Sequence, residues 1–152
     1  MTIERIFTRP ATGSLQYEHT VVRIAAGKGI EGDRYFDKHD EPGQNITFVE
    51  AEAIECFLNE QGLPSDLSIS GRNVITRGVR LNHLVGREFL VGGLRFRGVE
   101  LCEPCLGLGA KLATPLLSPA KVVKCLVRKA GLRADALSSG ELGLGAAFLI
   151  AS

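Results

Sequence analysis

The chain has 152 residues, 45% hydrophobic and 23% charged, enough to bury one core without disulfide or metal staples. Eighteen glycines against 6% aromatic residues favour a turn-rich, β-heavy chain over a helical bundle. No apolar run approaches the ~20 residues that span a bilayer, the mixed-charge start MTIERIFTRP is not a signal peptide, and four unevenly spaced cysteines are read as reduced thiols of a cytoplasmic protein. The net charge of +1 hides an asymmetry: residues 1–71 carry 6 Lys+Arg against 12 Asp+Glu, and residues 72–133 carry 12 against 3. Either the two halves pair with each other or the basic half faces an anionic ligand. Nucleic acid is disfavoured, because the basic residues are dispersed and lack aromatic interleaving.

Residues 1–25 read as strands, around Ile3, Ile6 and Phe7 and then around Val21, Val22 and Ile24, with the turn RPATGS between them. His19 is expected as an exposed strand residue, since no second ligand stands at metal spacing. The loop GKGIEGDRYF, residues 27–36, surrounds Asp33 and Arg34 with three glycines. It lacks the spacing of a nucleotide fingerprint, and on these residues alone a turn lock made by Asp33 and Arg34 is favoured over a ligand. DKHDEPG, with His39, is a polar loop.

NITFV, residues 45–49, predicts a short buried strand, and EAEAIECFLNEQG a three-turn helix. Ala53, Ile54, Phe57 and Leu58 line its inner face, Gly62 stands at its C-cap, and Cys56 is expected in packing. Thr47 and Glu50 match a capping box unless Thr47 belongs to the strand. Residues 68–93 alternate strand-like pieces with glycine turns, the pattern of a barrel or sandwich. Arg72 and Asn73, at a strand entrance, offer a guanidinium fork and an amide to an oxyanion, or tie the loop to a carboxylate. Ser118-Pro119 starts a helix with Val122, Val123, Leu126, Val127 and Ala130 inside and Gly131 at its end. The tail then shows a hairpin-like SSGE turn and a last apolar strand.

The chemistry concentrates in LRFRGVELCEPCLGL, residues 94–108. Leu94 and Phe96 alternate with arginines until Gly98 shifts the phase to Val99 and Leu101. A glycine at such a slip marks a bulge or a close backbone approach, and Pro104 ends the strand. Cys102 and Cys105 are thus presented where a strand opens into a loop. Structural zinc lacks a second ligand pair, and a thioredoxin-type dithiol lacks the βαβ context. A soft thiolate ligand or sulfur carrier beside arginines, and a buried structural pair, both remain open.

GIEGDRYF, NITFVEAEAIE, GRNVITRGVRLNHLVGREFLVGG, the strand into CEPC and GLRADALSSGELGLG together resemble a MOSC domain, the domain named for the C-terminal part of molybdenum cofactor sulfurases. The resemblance runs in order from about Val21 to Phe148. It implies residues 1–152 as a single domain, mainly β with a few helices, built on a MOSC-type β-barrel. It further implies molybdenum-molybdopterin as cofactor, with Cys105 as thiolate and metal ligand; Cys102 beside it leaves open a disulfide or a persulfide relay as a second catalytic thiol. The phosphorylated pterin would be held by Arg72, Asn73, Arg34, Asp33 and Arg77. The function expected is reduction of an N-hydroxylated small molecule or handling of the cofactor's sulfur. The alternative is a non-catalytic persulfide carrier fed by a pyridoxal-phosphate cysteine desulfurase.

Overall fold

The first strand shows how the sequence builds two cores at once. In β1 (Thr2–Thr8), Ile6 belongs to one buried cluster and its neighbour Phe7 to another, because successive side chains leave opposite faces of a strand, and a register shift between Ile3 and Arg5 returns Ile3 to the cluster of Ile6. A computed structural model describes residues 1–38, 40–104 and 106–151, with the side chains of residues 106 and 107 excepted. His39, Cys105 and Ser152 lie outside the described residues.

The remaining strands are β2 (Tyr17–His19), β3 (Val21–Ala25), β4 (Gly29–Ile30), β5 (Ile46–Glu50), β6 (Val74–Arg77), β7 (Glu88–Val91), β8 (Leu94–Leu101), β9 (Leu132–Ala136), β10 (Gly140–Gly143) and β11 (Phe148–Leu149). One sheet runs in the order β11-β7-β8-β9-β5-β6-β1-β2, and a smaller one in the order β10-β3-β4. The larger sheet curls back on itself. Ile3 N donates to Ala146 O (3.0 Å), Gly145 N to Ile3 O (2.8 Å) and Phe148 N to Met1 O (2.9 Å), joining β1 to the run that enters β11. This removes most of the open edge that a flat sheet would expose. The fold is therefore mainly β with a barrel-like sheet and, among the described residues, three α-helices, the fold class expected from the sequence.

Inside the curl, Phe48 meets the rings of Phe89, Phe96 and Phe148 edge-on at 5.5–6.0 Å. Val49 and Ile75, on the opposite faces of β5 and β6, pack under the helices instead. Burial on both faces explains the nearly continuous apolar run of β5. β5 and β6 are parallel, so the chain between them must cross over, and α1 (Ala51–Glu60) makes that crossing with Ile54, Phe57 and Leu58 buried. α2 (Leu106–Leu112) and α3 (Pro119–Leu126) meet closely at Gly109, where a Cβ would lie 2.6 Å from Pro119 O. Among the described residues, no helix is long and apolar enough to cross a membrane.

Gly98 fulfils both halves of its expectation. The pairing of β8 with β9 slips between Gly98 and Glu100, and a Cβ on Gly98 would stand 2.1 Å from Leu84 O. The Ser118 hydroxyl accepts from Lys121 N (3.3 Å) as an N-cap to α3, as predicted. Other expectations are corrected. Thr47 stays in β5 and bonds Asn73, so no capping box forms and Glu50 caps α1 without a side-chain bond. α3 ends at Leu126, well before Gly131. Gly131 is needed instead at φ 115°, where a Cβ would meet Phe48 O at 2.3 Å. SSGE is not a hairpin: the chain leaves β9 for the other sheet, where β10 pairs with β3. Ser138 and Ser139 hold that departure by accepting from Arg95 N and Ala26 N, each at 2.8 Å. Cys56, expected in packing, is exposed on α1.

Candidate functional site

Five chain segments end around one cavity of about 380 Å3. The end of β1 brings Thr8 and Arg9, the glycine-rich turn brings Asp33, Arg34 and Tyr35, and the polar loop brings Glu41, Gly43 and Gln44. The entrance of β6 adds Arg72 and Asn73. The end of β8 adds Glu100, Cys102 and Glu103, next to Arg133 of β9.

Asp33 is 7% exposed, and its two oxygens are already occupied. Oδ1 accepts from Arg9 N (3.0 Å) and Oδ2 from Tyr35 N (3.3 Å). Arg34 N in turn donates to Arg9 O (2.9 Å). The turn lock anticipated for Asp33 is thus made with backbone amides, and it places the side chains of Arg9 and Arg34 at the cavity. The Arg34 guanidinium lies over the Tyr35 ring, 4.8 Å from its centroid, so it is held by a π face instead of a carboxylate.

Asn73 is buried and likewise stitched into the fold. Its Oδ1 accepts from Thr47 N (3.0 Å) and Thr47 Oγ1 (3.1 Å), and its Nδ2 donates to Phe7 O (3.2 Å). It therefore ties β1, β5 and β6 together where they reach the cavity. Arg72 is anchored through Nε to Ala130 O (2.9 Å), which leaves the outer two nitrogens of its fork available.

Arg77 is not part of this group. It sits four residues beyond Asn73 on β6, about 13 Å along a strand rising ~3.3 Å per residue. There it bonds Glu4 (2.7 Å) and Glu55 (2.5 Å), which together raise its pKa. The structure thus brings together Asp33, Arg34, Arg72, Asn73 and Cys102 from among the predicted residues, and separates Arg77 from them. Cys105, the predicted thiolate and metal ligand, lies outside the described residues.

Two arginines of the site were missed. Arg9 lies in a stretch that reads only as a turn, and Arg133 in the tail segment GLRAD without any spacing signal. Arg133 bridges two acidic residues, Glu41 (2.6 Å) and Glu100 (2.5 Å), and donates through Nε to Gly43 O (3.3 Å). It straps the polar loop to the sheet, helped by Gly43 N donating to Asp135 Oδ1 (2.7 Å). Arg9, Arg34 and Arg72 differ from it: none has a carboxylate partner among the described residues. Three guanidinium groups thus border one cavity without a salt-bridged carboxylate, in a lining that also carries the acidic side chains of Asp33, Glu41, Glu100 and Glu103.

Cys102 is 3% exposed and its amide donates to Gly131 O (2.8 Å). Burial pushes its thiol pKa up, and the nearby charges of Arg72 and Arg133 offset only part of that rise. Among the described residues, no group of three or more His, Cys, Asp or Glu side chains could hold a metal ion.

Comparison of the sequence with family models and with curated proteins yields no match. Solved structures do match. The YuaD protein from Bacillus subtilis is 19% identical over 97% of this chain and 94% of its own, with a TM-score of 0.81. YiiM from Geobacillus stearothermophilus is 16% identical over 99% of this chain and 75% of its own, with a TM-score of 0.71. YiiM from Escherichia coli is 17% identical over the whole of this chain and 70% of its own, with a TM-score of 0.69. At these identities the likeness is one of fold, and the chain shares that fold with YuaD and YiiM along its full length.

Proposed function

We propose that the chain is a MOSC-type protein whose cavity binds the phosphorylated pterin of the molybdenum cofactor. The observation that carries this reading is the set of guanidinium groups on Arg9, Arg34 and Arg72, which face the cavity with no carboxylate partner among the described residues. Guanidinium forks match phosphate oxygens in charge and geometry. A cavity of about 380 Å3 also falls in the range of roughly 300–1,000 Å3 typical of small-molecule and cofactor sites. The donor set therefore fits a phosphorylated pterin.

Each residue has a distinct part. Arg72, fixed by its bond to Ala130 O, presents its outer nitrogens to the anion. Arg34, laid over Tyr35, supplies a second charge, and Asp33 and Asn73 hold the walls without meeting the ligand's charge themselves. Arg133 is neutralised by Glu41 and Glu100 and closes the loop side of the cavity. The family resemblance gives the thiolate role to Cys105, while burial holds the thiol pKa of Cys102 up. When bound, the cofactor supplies two-electron redox chemistry at molybdenum, and the protein supplies binding, charge and access. The reaction is reduction of an N-hydroxylated small molecule, or handling of the cofactor's sulfur.

The test is elemental analysis of protein purified from a cofactor-producing host, beside the variants Cys105→Ser and Arg34→Gln/Arg72→Gln. Molybdenum in the parent and its loss from the arginine variant, with the circular dichroism of the fold retained, is the expected result. A parent without molybdenum overturns the reading. If that parent instead carries one extra sulfur atom by mass on Cys105, the protein is a persulfide carrier fed by a desulfurase.

A further inference from the structure

Thr8, which lines the same cavity, pairs its hydroxyl with the imidazole of His19, a contact used by nothing described so far. In the antiparallel pairing of β1 with β2, Thr8 lies opposite Tyr17 and Ile6 opposite His19, so Thr8 and His19 are diagonal neighbours. Thr8 Oγ1 and His19 Nε2 are 2.7 Å apart. Thr8 is 4% exposed and lines the cavity, whereas His19, behind it, is half-buried. The nearest charged pair on these strands, Arg5 with Glu18, closes on itself at 2.7 and 2.8 Å.

This pair can exist in two hydrogen-bonding states. A threonine hydroxyl has one proton and two lone pairs, and a neutral imidazole carries its proton on either nitrogen. In the first state, Thr8 donates to His19 Nε2 and only lone pairs remain for the cavity. In the second, Nε2–H donates to Thr8 Oγ1, and the hydroxyl proton is free to point at a ligand. His19 Nδ1 has no hydrogen-bond partner among the described residues, so nothing in the fold locks one tautomer.

We infer that Thr8 is an anion-contacting residue of this cavity and that His19 is its positioning residue, the two switching to the second state when an anionic oxygen binds. The inference rests on the cavity being an anion site, as proposed above. Three guanidinium groups without carboxylate partners border the cavity, so an anionic ligand there brings charged oxygens that accept hydrogen bonds. Against such an oxygen the first state sets lone pair against lone pair, and the second adds a charge-assisted hydrogen bond. Bound anion therefore fixes the proton on His19 Nε2, whether as that neutral tautomer or as imidazolium. A chain of two hydrogen bonds then runs from the ligand to a half-buried ring. Ligands whose matching group is a donor are selected against.

The probe is inorganic phosphate, added to protein labelled with nitrogen-15 in its histidines, with the tautomer read from long-range proton–nitrogen correlations. The expected result is a shift of His19 to the Nε2-protonated pattern on phosphate addition. Thr8→Val should lose this response and bind phosphate about tenfold more weakly, the scale of one hydrogen bond to a charged group. Thr8→Ser should keep both the response and the affinity. If phosphate binds and His19 does not change, or if Thr8→Val binds as the parent does, the inference is overturned while the anion site stands. If phosphate fails to bind the parent, or binds Arg72→Gln equally well, the anion site itself is refuted and this inference falls with it.

Discussion

Replacing Asn73 with alanine tests whether the residue serves the fold more than the ligand. The substitution removes three side-chain hydrogen bonds, two from Thr47 and one to Phe7 O. The Thr47 hydroxyl keeps a partner, since it also accepts from Asn73 N at 3.0 Å. The groups left unpaired are Thr47 N–H and the Phe7 carbonyl, and each orphaned group costs about 1–3 kcal/mol. Thr47 borders the cavity, so water can reach its amide and place that cost near the lower end. The expected loss is about 3 kcal/mol, which lowers the melting temperature by roughly 6–12 °C for a chain of this size. Urea unfolding should show a lower midpoint at an unchanged slope. Asn73→Asp should be destabilised as well, because it sets a carboxylate oxygen against Phe7 O in place of a donor. An alanine variant within about 0.5 kcal/mol of the parent refutes the reasoning, because changes that small are typical of positions without such bonds.

Two further outcomes follow from the packing and the charges. Gly98→Ala should cost on the order of 3 kcal/mol or more, since its Cβ would stand 2.1 Å from a backbone oxygen that cannot rotate away. Gly93→Ala is the comparison: with φ 82° and open space around it, it should lose only about 1–2 kcal/mol of backbone strain, and equal melting temperatures for the two variants would contradict the clash. Glu50 is held above its ordinary pKa of 4.5 by burial, partly offset by the bond that Leu81 N donates to it (3.1 Å). The folded state therefore binds more protons than the unfolded state just above pH 4.5, and stability falls as pH rises through that window. Glu50→Gln keeps an acceptor for Leu81, so it should be more stable than the parent near pH 7 and lose that advantage in acid. A urea midpoint for the variant below the parent's at neutral pH would show that the charged form is favoured in the fold.

Much of this architecture was readable from the chain wherever one residue's own chemistry decides the local geometry. Gly98 announced a bulge and a tight approach because a phase slip at a glycine has few other causes, and Ser118-Pro119 announced the start of α3. Reading failed where a residue had two competing uses. Thr47 suits a helix cap or a strand, and the strand won because the Asn73 side chain offered its amide and hydroxyl a buried partner. The SSGE segment suits a hairpin, yet β10 was claimed by β3, a partner more than 100 residues earlier in the chain.

The site divides along the same line. Asp33 and Arg34 could be picked out because three glycines crowd around them. Arg9 and Arg133 could not, since their neighbours in the chain carry no such mark. By itself the sequence determined the alternation that makes strands, the turns that need glycine and the helix cap at Ser118. It also determined the excess of cations in the second half, because these depend on a residue and its neighbours alone. The tertiary structure decided which of those cations find a carboxylate. Arg77 meets Glu4 and Glu55 across strands and a helix, and Arg133 meets Glu41 across a loop, while Arg72 meets only a carbonyl. Charge pairing acts over a few ångströms of space regardless of distance along the chain, so which arginines reach the cavity without a salt bridge was settled only when the barrel closed.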